Sequence, residues 1–180
     1  MNKFENIESS RLILRPLNIP DAPSLFKYRS NKFTNQYQGW IPEKLEDVND
    51  FIENKIAKEF NQIGSWFQIA IVLKESNELI GDLGLHFLEN DMVEIGCTIA
   101  QENQGNSFAT EALKLTIEHL FSQFNKHKII GSVDPRNTAS IAMLHKLGFQ
   151  KEAFHRKSFL LRGEWVDDLV FVLFNDHLDI

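Results

Sequence analysis

The chain is poor in the features that would commit it to several large protein classes. It has one cysteine, Cys97, which excludes an internal disulfide framework and every zinc or iron–sulfur site built on several cysteines. Positive charge is in the minority. Nineteen Lys and Arg against 25 Asp and Glu leave a formal net charge of −6, the wrong sign for a protein that binds nucleic acid by neutralising phosphates. No run approaches the ~18 apolar residues of a membrane-spanning helix. The opening Met1-Asn2-Lys3-Phe4-Glu5 lacks the apolar core of a secretory signal. Five prolines and nine glycines are scattered, with no linker, repeat or low-complexity stretch. What remains is 180 residues with 43% hydrophobic and 24% charged side chains, the composition of one well-cored domain. A single domain over 1–180 in the cytoplasm is the expectation.

Periodicity supplies the elements. Arg11 to Leu17 alternates and stops at Pro20, predicting a first strand, and Asp21 fits the N-cap of a helix running to about Arg29. Pro42 and Asp47 open a second helical stretch in which Val48, Phe51, Ile52, Ile56 and Phe60 share a face. Ser65–Leu73, Leu79–Leu88 and Met92–Ala100 are β-rich runs joined by polar turns, an antiparallel meander. Helical spacing returns from Phe108 to Phe124. Lys128–Val133 is a short buried strand, Asn137 to about Leu147 a helix, and Gly148 suits the left-handed position just past its end. Two closing strands, Lys151–Leu161 and Trp165–Phe174, meet at Arg162-Gly163. The class is α+β, a mixed and mostly antiparallel sheet flanked by helices, and the segregated strands exclude a Rossmann or barrel arrangement.

Chemistry concentrates in two segments. In the first, the strand through Cys97, Thr98 and Ile99 runs into Gln104-Gly105-Asn106-Ser107, which opens directly into a helix at Phe108-Ala109-Thr110. Small residues let backbone N–H groups face outward, and a helix N-terminus carries about half a positive charge, so such a loop can hold phosphate oxygens without a lysine. It is neither a P-loop nor G-x-G-x-x-G. The same residues also fit a polar strand-to-helix turn that binds nothing, and both readings stay open on the loop alone. In the second segment, Asn137 and Ser140 stand at the start of a helix that ends in Lys146-Leu147-Gly148-Phe149. Either residue alone is explained by helix capping.

Together the segments resemble the GNAT superfamily of acyl-CoA-dependent N-acetyltransferases. The family's pyrophosphate loop, Gln/Arg-x-x-Gly-x-Gly/Ala, falls on Gln104, Ser107 and Ala109. Its later Asn-x-x-Ser and Lys-x-Gly-Phe fall on Asn137, Ser140, Lys146, Gly148 and Phe149. Arg11-Leu12-Ile13-Leu14-Arg15-Pro16 and Gly163-Glu164-Trp165-Val166-Asp167-Asp168 resemble the opening and last hairpin of the branch containing the ribosomal-protein alanine and serine N-acetyltransferases. The resemblance spans roughly Ile7 to Phe174. Two residues depart from it: Ser107 replaces the usual Gly, and Leu144 stands where many members carry a Tyr general acid.

The resemblance implies acetyl-CoA as co-substrate, with its pyrophosphate on the amides from Gly105 through Asn106, Ser107, Phe108 and Ala109 to Thr110. Its pantetheine arm would run along Cys97–Ile99, with Asn137 beside it. It implies a strand splayed from its neighbour, direct attack by a primary amine in a ternary complex, and no metal. The amine could sit on a peptide N-terminus or on a small molecule. Glu94 is the leading general base, Asp134 its rival, and Ser140 the donor to the leaving thiolate. Cys97 raises an acetyl-cysteine route, but a lone Cys on an apolar strand is usually core. His86, His119, His127, His145, His155 and His177 show no metal-ligand spacing. The acceptor is expected between the first helices and the last hairpin, against Tyr37, Trp40, Trp165 and Asp168. No nucleic-acid or membrane partner is expected, and a homodimer is compatible with the family. The competing readings are a non-catalytic acyl-CoA-binding module and a partner-binding protein that keeps only the fold.

Overall fold

The structure, a computed structural model, describes residues 3–176; His177 lies outside the described residues. One eight-stranded sheet runs through the molecule in the order β1-β2-β3-β4-β5-β6-β8-β7. Its strands are β1 (Ile7–Glu8), β2 (Leu12–Pro16), β3 (Trp66–Leu73), β4 (Leu79–Phe87), β5 (Met92–Ile99), β6 (Lys128–Val133), β7 (Gln150–Leu161) and β8 (Glu164–Phe174). The helices are α1 (Ala22–Arg29), α2 (Leu45–Asp50), α3 (Phe108–Phe124) and α4 (Thr138–Lys146). Every neighbouring pair is antiparallel except β5 and β6. The fold is therefore α+β on a mixed, mostly antiparallel sheet. Among the described residues no helix is long and apolar enough to cross a membrane.

Strand alternation divides the core. In β3, Ile69 and Ile71 join the cluster under α3 and α4, whereas Ala70 and Val72 join the cluster under α1 and α2. Burial on both faces explains why β3 reads as a continuous apolar run. Helix α3 presents Ala112, Leu113, Ile117 and Leu120 to the first cluster, the stripe that its 3.6-residue spacing predicts. It ends on Asn125 in the left-handed conformation, φ 48°. Helix α4 stops as expected. Gly148, at φ +89°, donates to the carbonyl of His145, and Phe149 N–H reaches that of Leu144, a Schellman closure with Phe149 packed back into the core.

Three local expectations are corrected. The two-residue strand β1 precedes the first expected strand. Asp21 precedes α1 but does not cap it; its carboxylate receives two bonds from Arg15, both 2.7 Å, and one from the amide of Asn18 at 2.9 Å. The second helical stretch is short: α2 passes into a single π turn over Phe51–Lys55, and the chain turns extended at Ile56. Phe60 leaves that face and packs on the other side of the sheet against Phe4, Phe67 and Phe87. A period of 3.6 cannot tell which face of a sheet will claim an aromatic ring.

Candidate active site

The parallel pair β5–β6 is joined at only three positions, Met92–Lys128, Val93–Ile129 and Glu94–Ile130. Both strands continue beyond this seam, β5 to Ile99 and β6 to Val133, and diverge without further pairing. The divergence leaves a wedge through the sheet, and among the described residues no strand pairs with the backbone edge of β5 after Glu94 on that side. The N-termini of α3 and α4 converge on this wedge.

The loop at its mouth is shaped by two left-handed residues, Gly105 at φ +79° and Ser107 at φ 62°. A Cβ on Gly105 would meet nothing within 4 Å. The first intrahelical bond of α3 runs from Glu111 N–H to Ser107 O, so the amides of Phe108, Ala109 and Thr110 are left to face a ligand. Gln104 donates its side-chain amide to Ile99 O at 3.0 Å, tying the loop to the end of β5. Thr98 carries a buried Oγ1 with no partner, and an orphaned buried hydroxyl needs an explanation. A cavity of about 590 Å³ runs along Cys97, Thr98, Ile99, the loop and the start of α4. An open glycine cradle, free helix-terminal amides and an unpartnered hydroxyl in one elongated groove fit a phosphate-bearing ligand with a long amide arm. Of the loop residues expected to hold that ligand, Asn106 does not line the cavity; its side chain bonds the carbonyls of Asn103 and Gln104.

A second cavity of about 300 Å³ lies on the other side of the wedge, bounded by Trp66, Glu94, Gly96, the strands of the last hairpin and the loop after α1. The two cavities share Tyr37, Gln38, Cys97, Asn137, Ser140 and Met143. Asn137 is the N-cap of α4 and accepts from Ser140 N–H at 3.2 Å. Ser140 lines both cavities at their junction. Leu144 is buried against Gly131 and offers no proton.

The residues expected around the acceptor separate. Tyr37 lines both cavities and donates to Arg136 O at 3.3 Å. Asp168 lines the second and accepts from Ser132 Oγ at 2.7 Å. Trp40 and Trp165 line neither. Trp40 stacks on Phe51, with ring centroids 4.4 Å apart, and Trp165 faces outward, 57% exposed.

The titratable groups also differ in availability. Glu94, at the seam, lines the second cavity with Oε2 3.5 Å from His86 Nδ1. His86 in turn lies parallel to Trp66, centroids 4.8 Å apart. Asp134 is engaged: Arg136 donates to it at 2.9 and 2.6 Å and holds its carboxyl below the usual range. Burial, with the nearby Asp82 charge, pushes the Cys97 thiol far above its ordinary value. Its thiolate is inaccessible near neutral pH, which removes the main support for a covalent route. Among the described residues, no group of three or more His, Cys, Asp or Glu could hold a metal ion.

Sequence reasoning missed the residue that holds the roof of both cavities. Arg162, at the tip of the last hairpin, donates to the carbonyls of Gln36 (2.7 Å), Asn35 (3.4 Å) and Gln38. The only sequence signal was a turn at Arg162-Gly163. It also missed the buried base beneath the wedge, where Asp82 accepts from Tyr28 at 2.7 Å, from Arg29 at 3.0 and 2.5 Å, and from Gln68.

Comparison with known proteins agrees with this geometry. The sequence model of the family described as acetyltransferase (GNAT) domain matches residues 11–150. The uncharacterized N-acetyltransferase p20 of Bacillus licheniformis is 31% identical, over 94% of this chain and 96% of that protein. The [ribosomal protein uS5]-alanine N-acetyltransferase of Escherichia coli (strain K12) is 28% identical, over 66% of this chain and 62% of that protein. The crystal structure of a GNAT-family acetyltransferase from Bacillus anthracis superposes with a TM-score of 0.85 at 23% identity, covering 95% of this chain and 99% of the other.

Proposed function

This chain belongs to the GNAT acetyltransferase family and is an acetyl-CoA-dependent N-acetyltransferase, and from that premise we propose that it acetylates a primary amine by direct attack within a ternary complex. The observation that carries the proposal is the meeting of the two cavities at Cys97, Asn137 and Ser140. A donor in the first and an acceptor in the second come into contact there without a carrier residue between them.

Acetyl-CoA, when bound, supplies the activated acetyl thioester. The chain supplies the rest. Amides of Gly105 to Thr110 hold the pyrophosphate, and the unpaired edge of β5 at Cys97–Ile99 offers main-chain donors to the pantetheine arm and the thioester oxygen. Fixed donors of this kind stabilise developing charge without reorganisation, often the largest contribution to rate. Glu94 accepts the amine proton, directly or through a water, and the Ser140 hydroxyl donates a hydrogen bond to the departing sulfur. Tyr37 and Asp168 border the acceptor, which is a peptide or protein N-terminus or a small amine. The uS5-alanine acetyltransferase named above is a relative acting on a protein; the second cavity, at about 300 Å³, would admit the first residue of such a chain.

The test is release of the coenzyme A thiol, coupled to mass detection of the product, over a panel of N-terminal peptides and small amines. Amine-dependent thiol release with an acetylated product is expected. Thiol release that does not depend on any amine, or acetyl-Cys97 accumulating before product, would count against direct transfer.

A further inference from the structure

Four glycines lie within strands among the described residues: Gly81, Gly84, Gly96 and Gly131. Glycine weakens a strand, so each position calls for a reason. Three have one inside the protein. An added Cβ would sit 2.4 Å from Thr98 O at Gly81, 3.1 Å from the Trp66 ring at Gly84, and 3.1 Å from Leu144 at Gly131. Gly96 has none. A Cβ there meets nothing within 4 Å, and the position needs no left-handed backbone.

The surroundings give the vacant space a direction. Gly96 lines the second cavity and not the first. Along β5 it shares a face with Glu94 and Thr98, opposite to Ile95, Cys97 and Ile99. Its cross-strand partner is Gly84, so the two glycines form a patch bare of side chains. Trp66 covers the Gly84 half and leaves the Gly96 half open. The result is a flat floor with an aromatic wall on one side and Glu94 next in the row.

We infer that Gly96 is a specificity-determining residue of the acceptor pocket: its missing side chain keeps the space through which the amine-bearing carbon of the acceptor, with its substituent, reaches the wedge. The inference rests on the acetyltransferase reading for the identity of the ligand. The steric argument applies to any amine that enters the second cavity.

The experiment compares the unsubstituted chain with Gly96→Ala and Gly96→Val. Acetyl-CoA affinity is measured by calorimetry. Binding of an alanine-initiated tripeptide and of n-butylamine is followed through the amide resonances of residues 94–98. Alanine and valine both suit a strand better than glycine, so the variants should fold, with melting temperatures equal to or above the original. Expected are an acetyl-CoA dissociation constant within two-fold of the original and tripeptide binding at least ten-fold weaker in Gly96→Ala. Butylamine, unbranched at its amine-bearing carbon, should lose less, and both amines should be lost in Gly96→Val. Unchanged amine binding in both variants overturns the inference, as does the absence of amine binding in the original chain. A ten-fold loss of acetyl-CoA affinity with amine binding intact overturns it too, assigning the space to the donor. Failure of the acetyltransferase reading shows up separately, as no binding of acetyl-CoA to the original chain.

Discussion

Arg11 and Glu111, one hundred residues apart, bind the turn between β1 and β2 to helix α3, with Arg11 Nε donating to Glu111 Oε2 at 2.8 Å. The same guanidinium reaches Asn106 O at 3.3 Å and lies 4.6 Å above the Phe108 ring. Ser9 completes the cluster by donating to Glu111 Oε1 at 2.6 Å. One arginine thus fixes both the loop and the first turn of α3.

The pair makes stability depend on pH. Burial raises the Glu111 pKa, but the bonds from Ser9 and Arg11 outweigh it, so the carboxyl is held below its ordinary value. A depressed carboxylate contributes fully above its unfolded pKa of roughly 4.3, and the contribution is lost as pH falls through the folded value. Glu111→Gln should cost about 1 kcal/mol at pH 7, because Arg11 is 45% exposed and solvent screens the pair. The gap between variant and original should close toward pH 3. Denaturant titrations at the two pH values measure it, and a gap independent of pH would refute the assignment.

Ser107 adopts a left-handed conformation at φ 62°, where a side chain costs roughly 1–2 kcal/mol that glycine does not. Ser107→Gly should therefore raise stability by up to about 1 kcal/mol, the rest being offset by the greater freedom of the unfolded glycine chain. Acetyl-CoA affinity should be equal or better. Calorimetry showing a weaker complex would instead mean that the serine hydroxyl contacts the donor.

The Ser140 hydroxyl takes no part in capping α4, since Asn137 accepts from the Ser140 amide rather than from its side chain. Ser140→Ala should change stability by less than about 0.5 kcal/mol and leave acetyl-CoA affinity near normal. Turnover should fall ten-fold or more, about 1.4 kcal/mol in barrier. Single-turnover rates decide the point: a wild-type rate in the alanine variant removes Ser140 from the chemistry.

Glu94→Gln should lower kcat/KM at least ten-fold across pH 6 to 9. Wild-type turnover across that range would show that Glu94 is not the base. Asp134 is a weak substitute, since three bonds from Arg136 favour its carboxylate and hold its pKa low.

Much of this arrangement is legible in the amino-acid order because it rests on local rules. Helix α3 follows from its stripe, the Gly148 closure from one glycine after a helix, and the loop from small residues between a strand and a helix. The departures are tertiary. Phe60 obeys the helical period of its segment yet is claimed by an aromatic cluster across the sheet. Trp40 and Trp165 resemble ligand contacts by type alone, and their neighbours Phe51 and solvent decide otherwise. Arg162 could not be assigned in advance, because the carbonyls of Asn35, Gln36 and Gln38 converge only when the loop after α1 lies beneath the hairpin. Gly96 escaped notice for the opposite reason: its meaning lies in an empty volume, and sequence carries no record of what is not touching a residue.

The three register pairs between β5 and β6 bear on how long the protein lasts as well as on what it binds. Among the described residues they are all the strand register between a five-stranded and a three-stranded half. A donor seated there as proposed would act as a cross-brace on the β5 edge, the loop before α3 and the start of α4 at once. Binding to the folded state alone adds about 2.7 kcal/mol when the ligand stands at a hundred times its dissociation constant. That gain is comparable with a large share of a typical domain's net stability. Occupancy of the donor groove would then be readable as heat resistance, in a melting temperature that climbs with acetyl-CoA concentration.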